Sequence, residues 1–123
     1  MRGLLLAALG GALGAGARYG LSLLPWRECF PWGTLLTNFL GAVAIGFLSG
    51  LLSQKRLGEG GKLFWQTGVC GGFTTFSTFS LEAVTLCQQG SWAKAGAYAL
   101  GSLALCAAGV VLGQALSRLL AGE

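Results

Sequence analysis

The sequence predicts an all-α membrane protein with four transmembrane helices, and three observations carry that prediction. Of 123 residues, 54% are hydrophobic and only 10% are charged, where a soluble domain carries about 25% charged residues. Long apolar runs replace the short amphipathic patterns of a water-soluble fold. Four such runs, 3–24, 33–54, 63–88 and 93–119, with their short loops fill 1–123 as a single transmembrane domain. Each is long enough, since a span needs roughly 20 residues at about 1.5 Å rise to cross a hydrocarbon core about 30 Å thick.

Gly3 to Leu24, the first span, is interrupted only by Arg18. Its opening, "MRGLLLAALGGALGAGA", also has the basic start, apolar core and small-residue end of a signal peptide. The apolar run resumes after Arg18 and Tyr19 as far as Leu24, which favours a retained span. The turn "LPWRECFPWG" leads into Gly33 to Gln54, which carries no charge at all. A second turn, "KRLGEGGK", leads into Leu63 to Gln88, whose one acid is Glu82. Ala93 to Leu119 has Lys94 and Arg118 near its ends. Trp26, Trp32, Trp65 and Trp92 fall at span ends, where amphipathic rings sit among headgroups.

Alternating crossings group Arg2, Lys55, Arg56, Lys62 and Arg118 on the face of the N-terminus, against Arg27 and Lys94 on the other. The positive-inside rule then leans towards a cytoplasmic N-terminus. The net charge of +4 calls for no nucleic acid, because loop cations face anionic lipid. Cys29, Cys70, Cys87 and Cys106 form no C-x-x-C pair and the chain has no histidine, so metal-ligand spacing is missing. Without a nucleophile and base in reach of each other, the chain does not read as an enzyme.

Glycines recur four apart at Gly10/Gly14, Gly16/Gly20, Gly46/Gly50, Gly68/Gly72 and Gly109/Gly113. That spacing lets helix backbones approach closely in lipid, within one chain or between chains. Four helices cannot easily both surround a pore and pack tightly, which favours an oligomer.

Polar groups inside the spans are costly and point to function. Asn38, with Thr34 one turn before it, offers donors either to a neighbouring helix or to an anion. "GVCGGFTTFSTFS", Gly68 to Ser80, sets Phe73, Phe76 and Phe79 three apart among five hydroxyl side chains. Such rings serve core packing or turn their positive edges to an anion. Gly71 and Gly72 make a helix rupture cheap there, and unwound carbonyls suit a cation. Thr75, Thr78, Glu82 and Thr85 form one polar seam, and Tyr98, Ser102 and Cys106 a narrower stripe. Arg18 either snorkels to the interface or places positive charge at a vestibule.

"GTLLTNFLGAVAIGFLSG" followed by "GVCGGFTTFSTFSLE", with "GAGARYG" in the first span, resembles the Fluc/CrcB family of bacterial fluoride channels along the whole chain. The resemblance implies an antiparallel dual-topology dimer, with the third helix broken at its centre. It implies a fluoride-selective channel of the bacterial inner membrane that lets cytoplasmic fluoride leave down its gradient, protecting the cell from fluoride. A structural Na+ at the dimer centre would be held by the backbone carbonyls of Gly71 and Thr74. The anion pathway maps to Asn38, Phe76 and Phe79, then to Ser77, Thr78, Glu82, Tyr98 and Ser102, with Arg18 in the first span. Cys106 stands where the family more usually has serine. The five-to-two charge bias also admits a heterodimer with a related chain of opposite bias, in place of a homodimer.

Two rival readings come from other classes. A four-helix multidrug exporter needs a membrane-embedded acid in the first helix, where this chain has Arg18. A structural subunit without transport fits the glycines and leaves the Phe–Thr–Ser run without a purpose.

Overall fold

The computed structural model describes residues 1–122, and among them every regular element is helical. Helix α1 spans Arg2–Ser22 and α2 spans Trp32–Ser53. A third segment, α3, is built of three consecutive pieces: Glu59–Gly61, a π-helical stretch Lys62–Cys70, and Gly71–Phe73. Two extended residues, Thr74 and Thr75, separate it from α4, Phe76–Gln88. Helix α5 runs Trp92–Ala121 and closes on Gly122, whose φ of 77° is the left-handed cap that glycine adopts without strain. Three of these helices, α1, α2 and α5, are long and apolar enough to cross a membrane uninterrupted. These three helices lie within a few residues of the runs 3–24, 33–54 and 93–119, and the run 63–88 is divided between α3 and α4.

Glycine decides how the helices meet. A Cβ on Gly10 would strike the Phe64 carbonyl and one on Gly14 the Val69 carbonyl, so α1 lies backbone to backbone against α3. Gly68 and Gly72 return the contact against Gly10 and Gly11. In the same way Gly46 and Gly50 of α2 meet Val110 and Ser117 of α5, and Gly113 meets Val43. Partner numbers rise together in both pairs, so α1 runs alongside α3 and α2 alongside α5 in the same direction. Four of the five glycine pairs seen in the sequence are used up in this way. Gly16 and Gly20 are different, for nothing lies within 4 Å of a Cβ at either.

Little of the chain is buried. It exposes 7655 Å², where a water-soluble monomer of its mass exposes about 6,200 Å². The surface holds Leu4, Leu13, Leu100, Leu103 and Val111, each at least 60% exposed. The core is correspondingly small: Leu35, Leu86, Ala95 and Tyr98, with Phe30 and Phe79 packed against it. Such a surface needs lipid or further protein to cover it.

Candidate functional site

The break between α3 and α4 differs from the expectation in its place and its cause. Gly71 and Gly72 do not rupture; both lie in helix, Gly71 with φ −63° and ψ −37°. Gly72 is needed for contact, since a Cβ there would strike the Gly11 carbonyl. The chain instead leaves the helix at Thr74 (φ −78°, ψ 154°) and Thr75 (φ −147°, ψ 117°).

Side chains hold this break. Thr75 donates its backbone N–H to Asn38 Oδ1 at 2.8 Å, and its carbonyl accepts from Asn38 Nδ2 at 3.0 Å. The amide thus takes up the Thr75 N–H that the broken ladder leaves without an acceptor, and adds a bond to its carbonyl. The Thr75 hydroxyl caps α4 by accepting from the Thr78 N–H at 3.1 Å, the usual work of a threonine at a helix start. On the other side of the break, Arg18 Nε donates to the Gly72 carbonyl at 3.2 Å. Three carbonyls are left over, those of Gly71, Phe73 and Thr74. The N–H groups that would meet Gly71 and Thr74 in a continuous helix belong to Thr75 and Thr78, and both are engaged elsewhere. No donor among the described residues replaces them.

Beyond the break lies a cleft of about 820 Å³, lined by Arg18, Thr34, Thr75, Thr78, Glu82 and Thr85 among others. The whole polar seam of the third span therefore faces one space. Glu82 sits at its inner wall, where one carboxylate oxygen accepts from the Thr34 hydroxyl at 2.8 Å and the other from Tyr98 at 2.6 Å. Tyr98 is fully buried, and its ring extends a row of aromatics away from the break. Ring centroids are 5.5 Å apart for Phe76–Phe79, 5.1 Å for Phe79–Tyr98, 5.6 Å for Tyr98–Phe30 and 4.5 Å for Phe30–Trp32. Phe76 begins the row 79% exposed. Phe73 stands apart from it, turned towards Gly41 of α2.

Of the residues singled out in the sequence, Arg18, Thr34, Thr75, Thr78, Glu82 and Thr85 line the cleft, and Asn38, Ser77 and Tyr98 bond to them. Asn38, Thr75, Ser77 and Thr78 form one hydrogen-bonded cluster, with Thr75 Oγ1 donating to Thr78 Oγ1 at 3.0 Å and lying 3.2 Å from Ser77 Oγ. Ser102, one turn past Tyr98 on α5, is 7% exposed and its hydroxyl has no partner among the described residues. Cys106, a further turn on, is half-buried. Sequence reasoning missed Phe30 and Trp32 as the outer end of the aromatic row. It also missed Trp26, whose ring lies 3.0 Å from where a Gly33 Cβ would stand and whose indole donates to the Leu21 carbonyl at 2.8 Å. The glycine following Trp32 was the available signal, because a ring comes this close to the backbone only where no Cβ stands.

Comparison with known proteins adds chemistry to this geometry. Residues 5–114 match the family described as CrcB-like protein, Camphor Resistance (CrcB). The chain is similar to the "Fluoride-specific ion channel FluC" of Opitutus terrae, 47% identical over 86% of this chain and 85% of that protein. The proteins of the same name from Hyphomonas neptunium and Roseiflexus sp. are each 45% identical to it. They cover 96% and 92% of this chain, and 97% and 94% of their own lengths.

Proposed function

We propose that this chain, which belongs to the CrcB-like family, is a fluoride-selective ion channel of the bacterial inner membrane. The single observation that carries the reading from the structure is the unwound pair Thr74–Thr75, set among hydrogen-bond donors with no acceptor among the described residues. Fluoride is the smallest halide and the most tightly hydrated, so a path for it must replace water with several donors at once.

The donors can be counted. An amide has two N–H groups and a hydroxyl has one O–H. Asn38 commits one N–H to Thr75 and keeps the other. Thr75 gives its proton to Thr78, which leaves Ser77 to donate to Thr75 and leaves the Thr78 O–H free. Thr34 and Tyr98 both donate to Glu82, so neither has a proton to spare. The Ser102 O–H has no acceptor among the described residues. Asn38, Thr78 and Ser102 therefore have donors free for the anion, as does the cleft-lining Thr37, with the ring edges of Phe76 and Phe79 beside them. Glu82, Thr34 and Tyr98 form the wall: the carboxylate, satisfied on both oxygens, orients the buried ring rather than meeting the anion.

The segment Glu59–Gln88 provides the fourth crossing of a single four-helix domain, its break near the midplane. Two chains in opposite orientation can bring only midplane residues into contact with their own copies. The exposed Phe76, the uncovered Gly16/Gly20 face and the free Gly71 and Thr74 carbonyls support such an antiparallel pairing. The two carbonyls fit a sodium ion, for unwound backbone oxygens are the donor set that sodium takes within membranes. Bound there, the ion would tie two broken helices together as a structural link. A homodimer is the simpler assembly; the charge bias allows a heterodimer with a related chain. Export follows from weak-acid chemistry, since an acidic exterior traps the anion inside and the channel lets it leave.

The test is ion efflux from liposomes loaded with fluoride or chloride at equal gradients. Fluoride leaves and chloride stays, and Phe76→Ile slows the fluoride. Comparable chloride flux, or no fluoride flux from a chain that is dimeric in detergent, would sink the reading.

A further inference from the structure

The residue whose work the proposed channel leaves open is Arg18. A cation on the first span, lining the cleft, invites the view that it gathers anions at a mouth. Its contacts say otherwise, and we infer that Arg18 is a positioning residue: its Nε caps the Gly72 carbonyl and so fixes where α3 ends and the unwound pair begins. This inference rests on the channel reading for its transport consequences but not for its geometry.

Three observations carry it. First, direction. A helical side chain leans towards the N-terminus of its own helix, so Arg18, near the end of α1, points back towards the middle of the molecule and not out to the near interface. The hydrogen bond to Gly72, 54 residues away in sequence, lies where that lean takes it. Second, need. In an unbroken helix the Gly72 carbonyl would accept from the Phe76 N–H, but Thr74 and Thr75 are extended and the ladder stops. A carbonyl at a helix C-terminus within a membrane must find a donor, and a cation is the favoured one. Third, fixity. Gly72 presses on Gly11 of α1, two turns before Arg18 on the same helix, with no room for a Cβ. Helix α1 therefore supports Gly72 from one side and caps its carbonyl from the other. Asn38 does the matching work on Thr75. The break is pinned at both ends, by α1 upstream and by α2 downstream.

Charge and capping can be separated by two substitutions. Nε stands four bonds from Cα, and so does the amide nitrogen of glutamine. Arg18→Gln thus keeps a donor at that place and removes the charge. Arg18→Lys keeps the charge and puts a methylene there, with the ammonium one bond beyond. If Arg18 caps the break, the lysine variant is the worse one, slower in fluoride efflux by about tenfold, as expected for one lost charge-assisted hydrogen bond. The glutamine variant stays closer to wild type. If Arg18 gathers anions, the order reverses, and efflux in the lysine variant keeps the wild-type dependence on ionic strength.

Hydrogen exchange of the backbone amides of Thr74 to Phe79, on the purified protein in detergent, gives a readout that needs no transport. Loss of protection in Arg18→Lys and retention in Arg18→Gln supports the capping role even if the wild type were to carry no fluoride. In that case the channel reading fails alone. Lysine equal to or better than glutamine, in protection or in efflux rate, overturns the inference.

Discussion

Asn38 offers the sharpest trial of how the break is held. Its amide makes two bonds to one residue, accepting from the Thr75 N–H at 2.8 Å and donating to the Thr75 carbonyl at 3.0 Å. Asn38→Asp has nearly the same shape and keeps the acceptor. Its second oxygen then faces a carbonyl oxygen at the old hydrogen-bond distance, so one bond is lost and two oxygens are set against each other. The Thr75 carbonyl keeps the first intrahelical bond of α4. A net hydrogen bond is worth about 1 kcal/mol and one to a charged group about 1.5–3 kcal/mol. The break should therefore be destabilised by about 1–3 kcal/mol, or roughly 5- to 150-fold in its equilibrium. Asn38→Leu removes both bonds, orphans the Thr75 N–H and should cost more. The first assay is hydrogen exchange at Thr75 and Thr78, whose amides depend on Asn38 and on the cap that Asn38 keeps in place. Fluoride efflux is the second, and it should fall with the exchange protection. Wild-type protection at Thr75 in both variants would refute the reasoning, because it would mean the amide is not what holds the extended backbone.

Three further outcomes follow from the same geometry. Gly72→Ala drives a Cβ into the Gly11 carbonyl, and overpacking of that kind costs about 1–3 kcal/mol; thermal unfolding in detergent should show it. Gly16→Val meets nothing inside the chain, so it should leave the monomer fold intact and weaken dimerisation, read by crosslinking in liposomes. Ser102→Ala and Thr78→Val remove free donors and should slow fluoride efflux, whereas Thr34→Val removes a hydroxyl already given to Glu82 and should slow it less.

How much of this was legible beforehand depends on the kind of information involved. Span positions came from apolar length alone, and Trp32–Ser53 and Trp92–Ala121 match it closely. The gathering of Thr75, Thr78, Glu82 and Thr85 into one cleft followed from helical spacing. The centre of the third span, near Thr75, was also the right place to look for a break. What the sequence did not reveal was long-range pairing. Gly71 and Gly72 were read as weak points because glycine is flexible, yet here Gly72 serves by being small. The backbone actually opens two residues later, where Asn38, 37 positions away, takes the Thr75 N–H. No local pattern announces the π-helical stretch Lys62–Cys70 either. A helix register is decided by its neighbour, and that neighbour is α1.

The division of labour between donors is the consequence that matters most for selectivity. The hydroxyls in and beside the cleft look equivalent in sequence, but each has a single proton, and the contacts decide where it goes. Thr34 and Tyr98 have given theirs to a carboxylate, while Thr78 and Ser102 have not. On the proposed reading, an anion that must shed its water meets a few free donors, Thr78 beside the unwound turn among them, and not a continuous polar lining. Glu82 would repel an anion if it stood bare in the path. Held on both oxygens by Thr34 and Tyr98, it is drawn against the wall formed by α2 and α5. Tyr98→Phe tests this directly, since it frees one carboxylate oxygen without adding bulk. Fluoride efflux should fall because an unmasked negative charge now borders the path, and Glu82→Gln in the same background should restore part of it. A tyrosine whose own proton serves the anion predicts no such rescue.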